Sequence, residues 1–218
     1  MKKEEISVIP NFIKNWFLKI IDPVIEFIVR FNVHPNFFTV LGLISNLVGA
    51  YFFAKHDLRI AAIYILIGGL CDIIDGKVAR KTGLSSKFGA LFDSSLDRYS
   101  EVFMFLGVAI HYVKLDYQTT SIMVFLGLGG SMMVSYVRAR AEGLGYSCKV
   151  GVMQRPERIV LIGLGALLHN FTLVIAVWMI AILANFTAIQ RMYHVWNLER
   201  IEKGENSSAS QQTERIEN

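Results

Sequence analysis

Charge is scarce in this sequence. Only 18% of its 218 residues are Asp, Glu, Lys or Arg, against about 25% in ordinary soluble domains. That shortage excludes a disordered chain and argues against a purely water-soluble domain. Cysteine is nearly absent. Cys71 and Cys148 cannot build a disulfide framework and read as free thiols. The five histidines, at 34, 56, 111, 169 and 194, show no metal-ligand spacing. The charged N-terminus lacks an early apolar core, so no cleavable signal peptide is expected. The net charge of +4 is modest, so the placement of charge matters more than its sum.

Long apolar runs are what the sequence has instead. Phe37 to Ala54 is 18 residues without a charge, Tyr117 to Val137 is 21, and Ile159 to Gln190 is 32. A hydrocarbon core about 30 Å thick needs roughly 20 helical residues to cross. The third run can hold two short spans turning at His169-Asn170. Ile60 to Cys71 and Val102 to Val113 become spans if their helices continue through neighbouring aspartates. The expectation is an all-α integral membrane protein with six transmembrane helices, near 36–54, 59–80, 88–113, 118–141, 155–168 and 171–195. Ile6 to Phe31 interleaves Trp16, Phe17, Ile20, Ile21, Ile25, Phe27 and Ile28 with Lys14, Lys19 and Arg30. It reads as an N-terminal amphipathic helix lying in the membrane interface. The organisation is then an arm over 1–34, a six-helix domain over 35–197 and a polar, disordered tail over 198–218.

The basic residues orient this scheme. Eighteen of the 22 Lys and Arg fall on one side, three (Lys55, Arg59, Lys114) on the other, and Arg98 inside a span. Positive residues stay cytoplasmic, so the scheme places both termini in the cytoplasm.

Four of the seven aspartates, Asp72, Asp75, Asp93 and Asp97, fall within 26 residues at membrane depth. One carboxylate there costs at least about 2.5 kcal/mol, so the cluster needs countercharge and a function. Asp72 and Asp75 are i, i+3; Asp93 and Asp97 are i, i+4. Each pair shares one helix face. A hairpin turning through Gly83, Ser85 and Ser86 brings the two pairs together near the cytoplasmic mouth. Four carboxylates suit two hard divalent cations, which can clamp a phosphate during in-line displacement. Gly76 and Ala79 permit close backbone approach, and Arg80 can grip a phosphate bidentately. Gly127, Gly129, Gly130, Gly163 and Gly165 read as close helix contacts, within the chain or across a homodimer.

The run Asp72-Ile-Ile-Asp75-Gly76-Lys-Val-Ala79-Arg80, followed by Gly89, Asp93 and Asp97, resembles the signature of the CDP-alcohol phosphatidyltransferase family, D-x2-D-G-x2-A-R-x8-G-x3-D-x3-D. All eight of its positions match. Pro35-Asn36-Phe37-Phe38-Thr39 is similar to that family's P-N-x-x-T opening. The resemblance covers nearly the whole chain to about Asn197. It implies two divalent cations, Mg²⁺ or Mn²⁺, held by Asp72, Asp75, Asp93 and Asp97, with Asp97 also a general base. It implies a CDP-diacylglycerol-type lipid bound by Gly76, Ala79, Arg80 and Gly89. It also implies membrane lipids as surroundings, a homodimer and no nucleic-acid partner.

Tyr136-Val-Arg138-Ala-Arg140-Ala-Glu142, Arg155-Pro-Glu-Arg158 and Gln190-Arg191 resemble elements of prokaryotic phosphatidylinositol-phosphate synthases. That likeness implies a phosphorylated polar alcohol, inositol 1-phosphate, with its phosphate on Arg138, Arg155, Arg191 and Arg158. Arg138 departs from the Lys common at its position. Glycerol 3-phosphate, also dianionic, suits the same arginines. Two other classes compete. A membrane prenyltransferase would carry its two Asp motifs far apart, whereas Asp75 and Asp93 are 18 apart. A divalent-cation transporter would need access from both sides.

Overall fold

The structure, a computed structural model, describes the backbone of residues 11–31 and 33–217 and the side chains of residues 16, 18–31 and 33–203. Those residues form seven α-helices: α1 (Asn11–Arg30), α2 (Pro35–Ala54), α3 (Leu58–Thr82), α4 (Lys87–Lys114), α5 (Gln118–Gly143), α6 (Arg155–Leu168) and α7 (Asn170–Glu217). Each expected span coincides with one of α2 to α7. Three of them, α2, α5 and α7 as far as Lys203, are long and apolar enough to cross a membrane by composition alone. The chain is therefore an integral membrane protein built from apolar helices. The helices α3 and α4 fall short of that measure because they carry the aspartates, and α6 because it has only 14 residues.

Local chemistry sets the helix ends. Pro35 opens α2, where its missing N–H costs nothing, and His34 accepts from the Asn36 N–H. Gly83 closes α3 in the left-handed region at φ 72°, the conformation glycine adopts most cheaply. Ser86 caps α4 by accepting from the Gly89 N–H at 2.9 Å. His169 is extended, at φ −167° and ψ 160°, and separates α6 from α7, at the turn expected from the sequence.

The helices close into a ring. Helix α2 packs on α3 and α4, α3 on α6, α6 on α7, α7 on α5, and α5 on α4. Ile65, Met104, Phe105, Val108, Ile162 and Ile180 fill its interior. The expected hairpin turns through Gly83 and Ser86 and brings the two aspartate pairs together, but its two helices do not pack along their length. Helices α3 and α4 scarcely pack on each other, because α2 wedges against both and leaves a gap between them at the aspartate end. Gly107 makes the α2–α4 contact possible: a Cβ there would lie 2.6 Å from the Ala50 backbone. Gly107→Ala is expected to cost about 1–3 kcal/mol through overpacking, read as a lower melting temperature in detergent. Of the five glycines expected at close contacts, Gly127, Gly130, Gly163 and Gly165 face neighbours within the chain, and Gly129 faces open space.

Helix α1 lies outside the ring against α3. Ile21 and Ile25 pack on Ile74 and Val78, and Lys77 bonds the Asp22 carboxylate at 2.6 Å and the Leu18 carbonyl at 3.0 Å. Its other face exposes Trp16, Ile20, Val24 and Phe27, spaced four, four and three residues apart. A stripe of that kind suits the interfacial position expected for it. Residues 1–10 of the expected arm lie outside the described residues. Over the expected disordered tail the backbone instead continues α7 to Glu217, with side chains described as far as residue 203. The Glu202 carboxylate accepts from the Tyr146 hydroxyl at 3.0 Å. The histidines are less scattered than their spacing implies. His56 and His111 meet through their Nδ1 atoms at 2.9 Å, and His111 is buried against Asn170.

Candidate active site

The gap between α3 and α4 holds the four aspartates in two groups. Asp75 and Asp93 meet side chain to side chain, with the Thr39 hydroxyl of α2 on Asp75. Asp72 and Asp97 are joined by Arg155 at the start of α6. Its Nη2 lies 2.7 Å from Asp72 and its Nη1 2.7 Å from Asp97. Arg98 stands 3.6 Å from Asp97 and donates to the Ser135 hydroxyl of α5. The helix spacing thus places both pairs as expected, and Arg155 supplies the countercharge from 58 positions beyond Asp97.

The donor set fits hard divalent cations. Among the described residues, no three His, Cys, Asp or Glu side chains already converge on a point that could hold a metal ion. Yet Asp75 Oδ2 and Asp93 Oδ1 are buried without any hydrogen-bond partner. An anionic oxygen buried in that way is costly unless a cation compensates it, and carboxylate oxygens are the ligands that Mg²⁺ and Mn²⁺ prefer.

Three cavities meet at the aspartates. The first, about 190 Å³, is lined by Gly76, Ala79, Arg80 and Gly89 together with Asp75 and Asp93. All four residues expected to bind the CDP-lipid therefore share one cavity. The Arg80 guanidinium lies beside Gly76, 3.4 Å from where a Cβ would stand, an ordinary contact distance. The second, about 680 Å³, is an apolar groove between α3 and α6. It runs from Ile63, Ile67 and Leu164 to Asp72, Asp93 and Asp97. The third, about 880 Å³, is basic. Arg98, Arg138, Arg155, Arg158 and Arg191 line it, and Asp97 opens onto it.

The four arginines expected to hold an acceptor phosphate thus share a cavity but differ in freedom. Arg158 is fully buried, bonded to Glu101 at 2.6 Å and to the Met153 carbonyl at 3.1 Å. Arg191 is 2% exposed. It donates to the Val150 and Val134 carbonyls and so ties α7 to α5 and to the loop before α6. Arg138 is the most exposed and pairs with Glu142 at 2.9 Å. Arg155 is held by aspartates instead of facing only the basic cavity.

Two further residues belong to the site. Arg98, a charge inside a span and a candidate partner of the aspartates in the sequence, does stand beside Asp97. Glu101, which no motif marks, stands four residues past Asp97 on the same helix face. An acid at that depth is itself the signal.

A family model described as CDP-alcohol phosphatidyltransferase matches residues 32–196. The archaetidylinositol phosphate synthase of Pyrococcus horikoshii is 37% identical over 175 residues, 79% of this chain and 88% of that protein. The crystal structure of Mycobacterium tuberculosis phosphatidylinositol phosphate synthase with CDP-DAG bound has a TM-score of 0.73 and 29% identity, covering 82% of this chain and 94% of that one. The same synthase in complex with manganese and citrate gives a TM-score of 0.72 at 29% identity, covering 80% and 88%. With the signature, the aspartate-lined gap and the matched span in agreement, the chain belongs to the CDP-alcohol phosphatidyltransferase family.

Proposed function

We propose that this enzyme transfers a phosphatidyl-type group from a CDP-linked lipid to the hydroxyl of a phosphorylated polar alcohol, inositol 1-phosphate, and releases CMP. The observation that carries this reading is the meeting of three chemically different cavities at one cluster of carboxylates. The polar cavity takes the CDP moiety, with Arg80 on a phosphate. The apolar groove takes the lipid's hydrocarbon. The basic cavity takes the acceptor's phosphate on Arg138 and Arg155, while Arg191 and Arg158, expected to share that role, line the cavity from buried internal bonds.

Asp72, Asp75, Asp93 and Asp97 hold two divalent cations, Mg²⁺ or Mn²⁺, which when bound offset charge on the pyrophosphate and on the departing CMP. Asp97 opens onto both the groove and the basic cavity. Its carboxylate is placed to take the proton of the acceptor hydroxyl as that oxygen attacks the lipid-side phosphorus. The bond from that phosphorus to the bridging pyrophosphate oxygen breaks, and CMP carries the electron pair away.

The same reading gives six membrane crossings, α2 to α7, with both termini and the site on the cytoplasmic side, supported by the basic residues gathered there. At 14 residues α6 is about 21 Å long. The loop before it, with Cys148 and Met153 buried, carries its first residue inward to the carboxylates. Homodimerisation rests on the family resemblance alone. Membership of a transferase family displaces the transporter reading.

The test is CMP release by purified protein in detergent with CDP-diacylglycerol and Mg²⁺ or Mn²⁺. Inositol 1-phosphate, glycerol 3-phosphate, inositol and serine serve as acceptors. Fastest release with inositol 1-phosphate supports the proposal. Preference for glycerol 3-phosphate reassigns the acceptor, and preference for inositol or serine overturns the phosphorylated acceptor. Arg138→Ala is expected to raise the KM for the phosphorylated acceptor about tenfold, the loss of one hydrogen bond to a charged group, with the KM for CDP-lipid unchanged.

A further inference from the structure

We propose that Arg155 is an exchangeable internal countercharge: its guanidinium bridges Asp72 and Asp97 until divalent cations take those carboxylates, then turns into the basic cavity to meet the acceptor's phosphate. The inference rests on the metal-loaded reading above and adds an order of binding to it.

Position is the first support. Arg155 lines both the apolar groove and the basic cavity, so one side chain borders the place it leaves and the place it enters. Its backbone need not move. It is the first residue of α6, followed by Pro156 and preceded by an extended Gln154.

The quality of its contacts is the second support. Nη1 and Nη2 each lie 2.7 Å from a carboxylate oxygen, of Asp97 and Asp72, yet Nη2 and Nε remain buried donors without a hydrogen-bond partner, as do one nitrogen each of Arg98 and Arg158. A guanidinium offers five N–H groups, and here much of that capacity is unused. Buried donors left unpaired favour any rearrangement that satisfies them.

Charge balance is the third. Four carboxylates face two guanidiniums, Arg155 and Arg98, which leaves the cluster two charges negative. With Arg155 turned away, two dications take the cluster from three charges negative to one positive, and the diphosphate of a CDP-lipid brings it to one negative. Arg155 is not needed to hold Asp72 and Asp97 once the cations are there. The other guanidiniums of the basic cavity keep their partners, Arg158 on Glu101, Arg191 on carbonyls, Arg98 on Ser135 and the half-exposed Arg138 on Glu142. Arg155 is the one that cations on Asp72 and Asp97 would set free to join Arg138 on the phosphate. Metal and acceptor then strengthen each other's binding by the same factor, as linkage requires.

The experiment measures binding without turnover. Mn²⁺ affinity is read by electron paramagnetic resonance on the purified full-length protein in detergent, for wild type, Arg155→Ala and Arg155→Lys. Inositol 1-phosphate affinity is read by calorimetry with and without Mn²⁺. Removing the internal competitor is expected to tighten Mn²⁺ binding about tenfold in Arg155→Ala. Arg155→Lys, which keeps the charge but not the two-pronged contact, is expected to fall between and carries the test if the alanine variant does not fold. Wild type is expected to bind inositol 1-phosphate at least tenfold tighter with Mn²⁺, and Arg155→Ala to lose that coupling. Equal or weaker Mn²⁺ binding in the variants, or acceptor binding indifferent to Mn²⁺ in wild type, overturns the exchange. Failure of the wild type to bind Mn²⁺ at all overturns the metal-loaded reading with it. The CMP-release assay tests that reading separately.

Discussion

Asp97→Asn is expected to lower CMP release by about 10²- to 10⁴-fold, the range for loss of a positioned general base, while the protein still folds. The substitution keeps the shape of the side chain and removes its ability to take a proton. Asp97 is the one aspartate that borders both the apolar groove and the basic cavity, so no neighbouring carboxylate can replace it from the same place. Its partners do not hold the ring together. Arg155 keeps Asp72, and the helix contacts of α4 are made by Met104, Phe105 and Val108 further along. Mn²⁺ affinity separates its two expected roles. A rate lost with Mn²⁺ binding retained identifies the base, and both lost together identify a metal ligand. Near wild-type turnover removes Asp97 from the chemistry.

The second large effect is on stability. Arg158→Met is expected to destabilise the protein by about 3–5 kcal/mol, the cost of breaking a buried ion pair by removing one partner. Glu101 and Arg158 are 2% and 0% exposed at the side chain and lie 2.6 Å apart. They join α4 to α6 beneath the aspartates, and Arg158 also holds the Met153 carbonyl. Without Arg158, the buried Glu101 carboxylate loses its bonded partner and keeps only the more distant charges of Arg98 and Arg155. The check is the melting temperature in one detergent for wild type, Arg158→Met, and the double variant Glu101→Leu/Arg158→Met. The double variant is expected to recover much of the loss, because two apolar side chains leave no charge unpaired. An unchanged melting temperature with a raised KM for the phosphorylated acceptor would return Arg158 to the role of phosphate ligand.

Helix number and extent were readable from the chain because each span is a local property. Apolar runs of span length, a proline at 35, a glycine at 83 and a turn at His169 each act within a few residues. The aspartates were readable for the same reason, since i, i+3 and i, i+4 spacing fixes a shared face without knowledge of the partner. What spacing does not contain is which helix fills the gap beside that face. A short turn joins α3 and α4 as the sequence leads one to expect, yet α2 packs against both through Gly49 and Gly107 and holds their lengths apart. The long-range pairs were invisible for a related reason. Arg155 with Asp72, Arg158 with Glu101, and His56 with His111 are separated by 55 residues or more. Only the closure of the ring decides that they meet. The basic residues of the α5–α6 segment looked alike in the sequence. Burial divides them, leaving Arg138 on the surface of the cavity and Arg158 in the core.

The groove between α3 and α6 opens on the flank of the ring. Ile63, Ile67 and Leu164 at its rim are 49%, 42% and 47% exposed, and in a bilayer those side chains touch acyl chains. On the proposed function, a nucleotide-bearing lipid slides in sideways, travelling in two dimensions, and the new phospholipid leaves by the same door without passing through water. The enzyme then responds to the surface density of its lipid within the leaflet, while its second substrate and CMP follow their concentrations in the aqueous phase. One cluster of carboxylates thus keeps two phases in register.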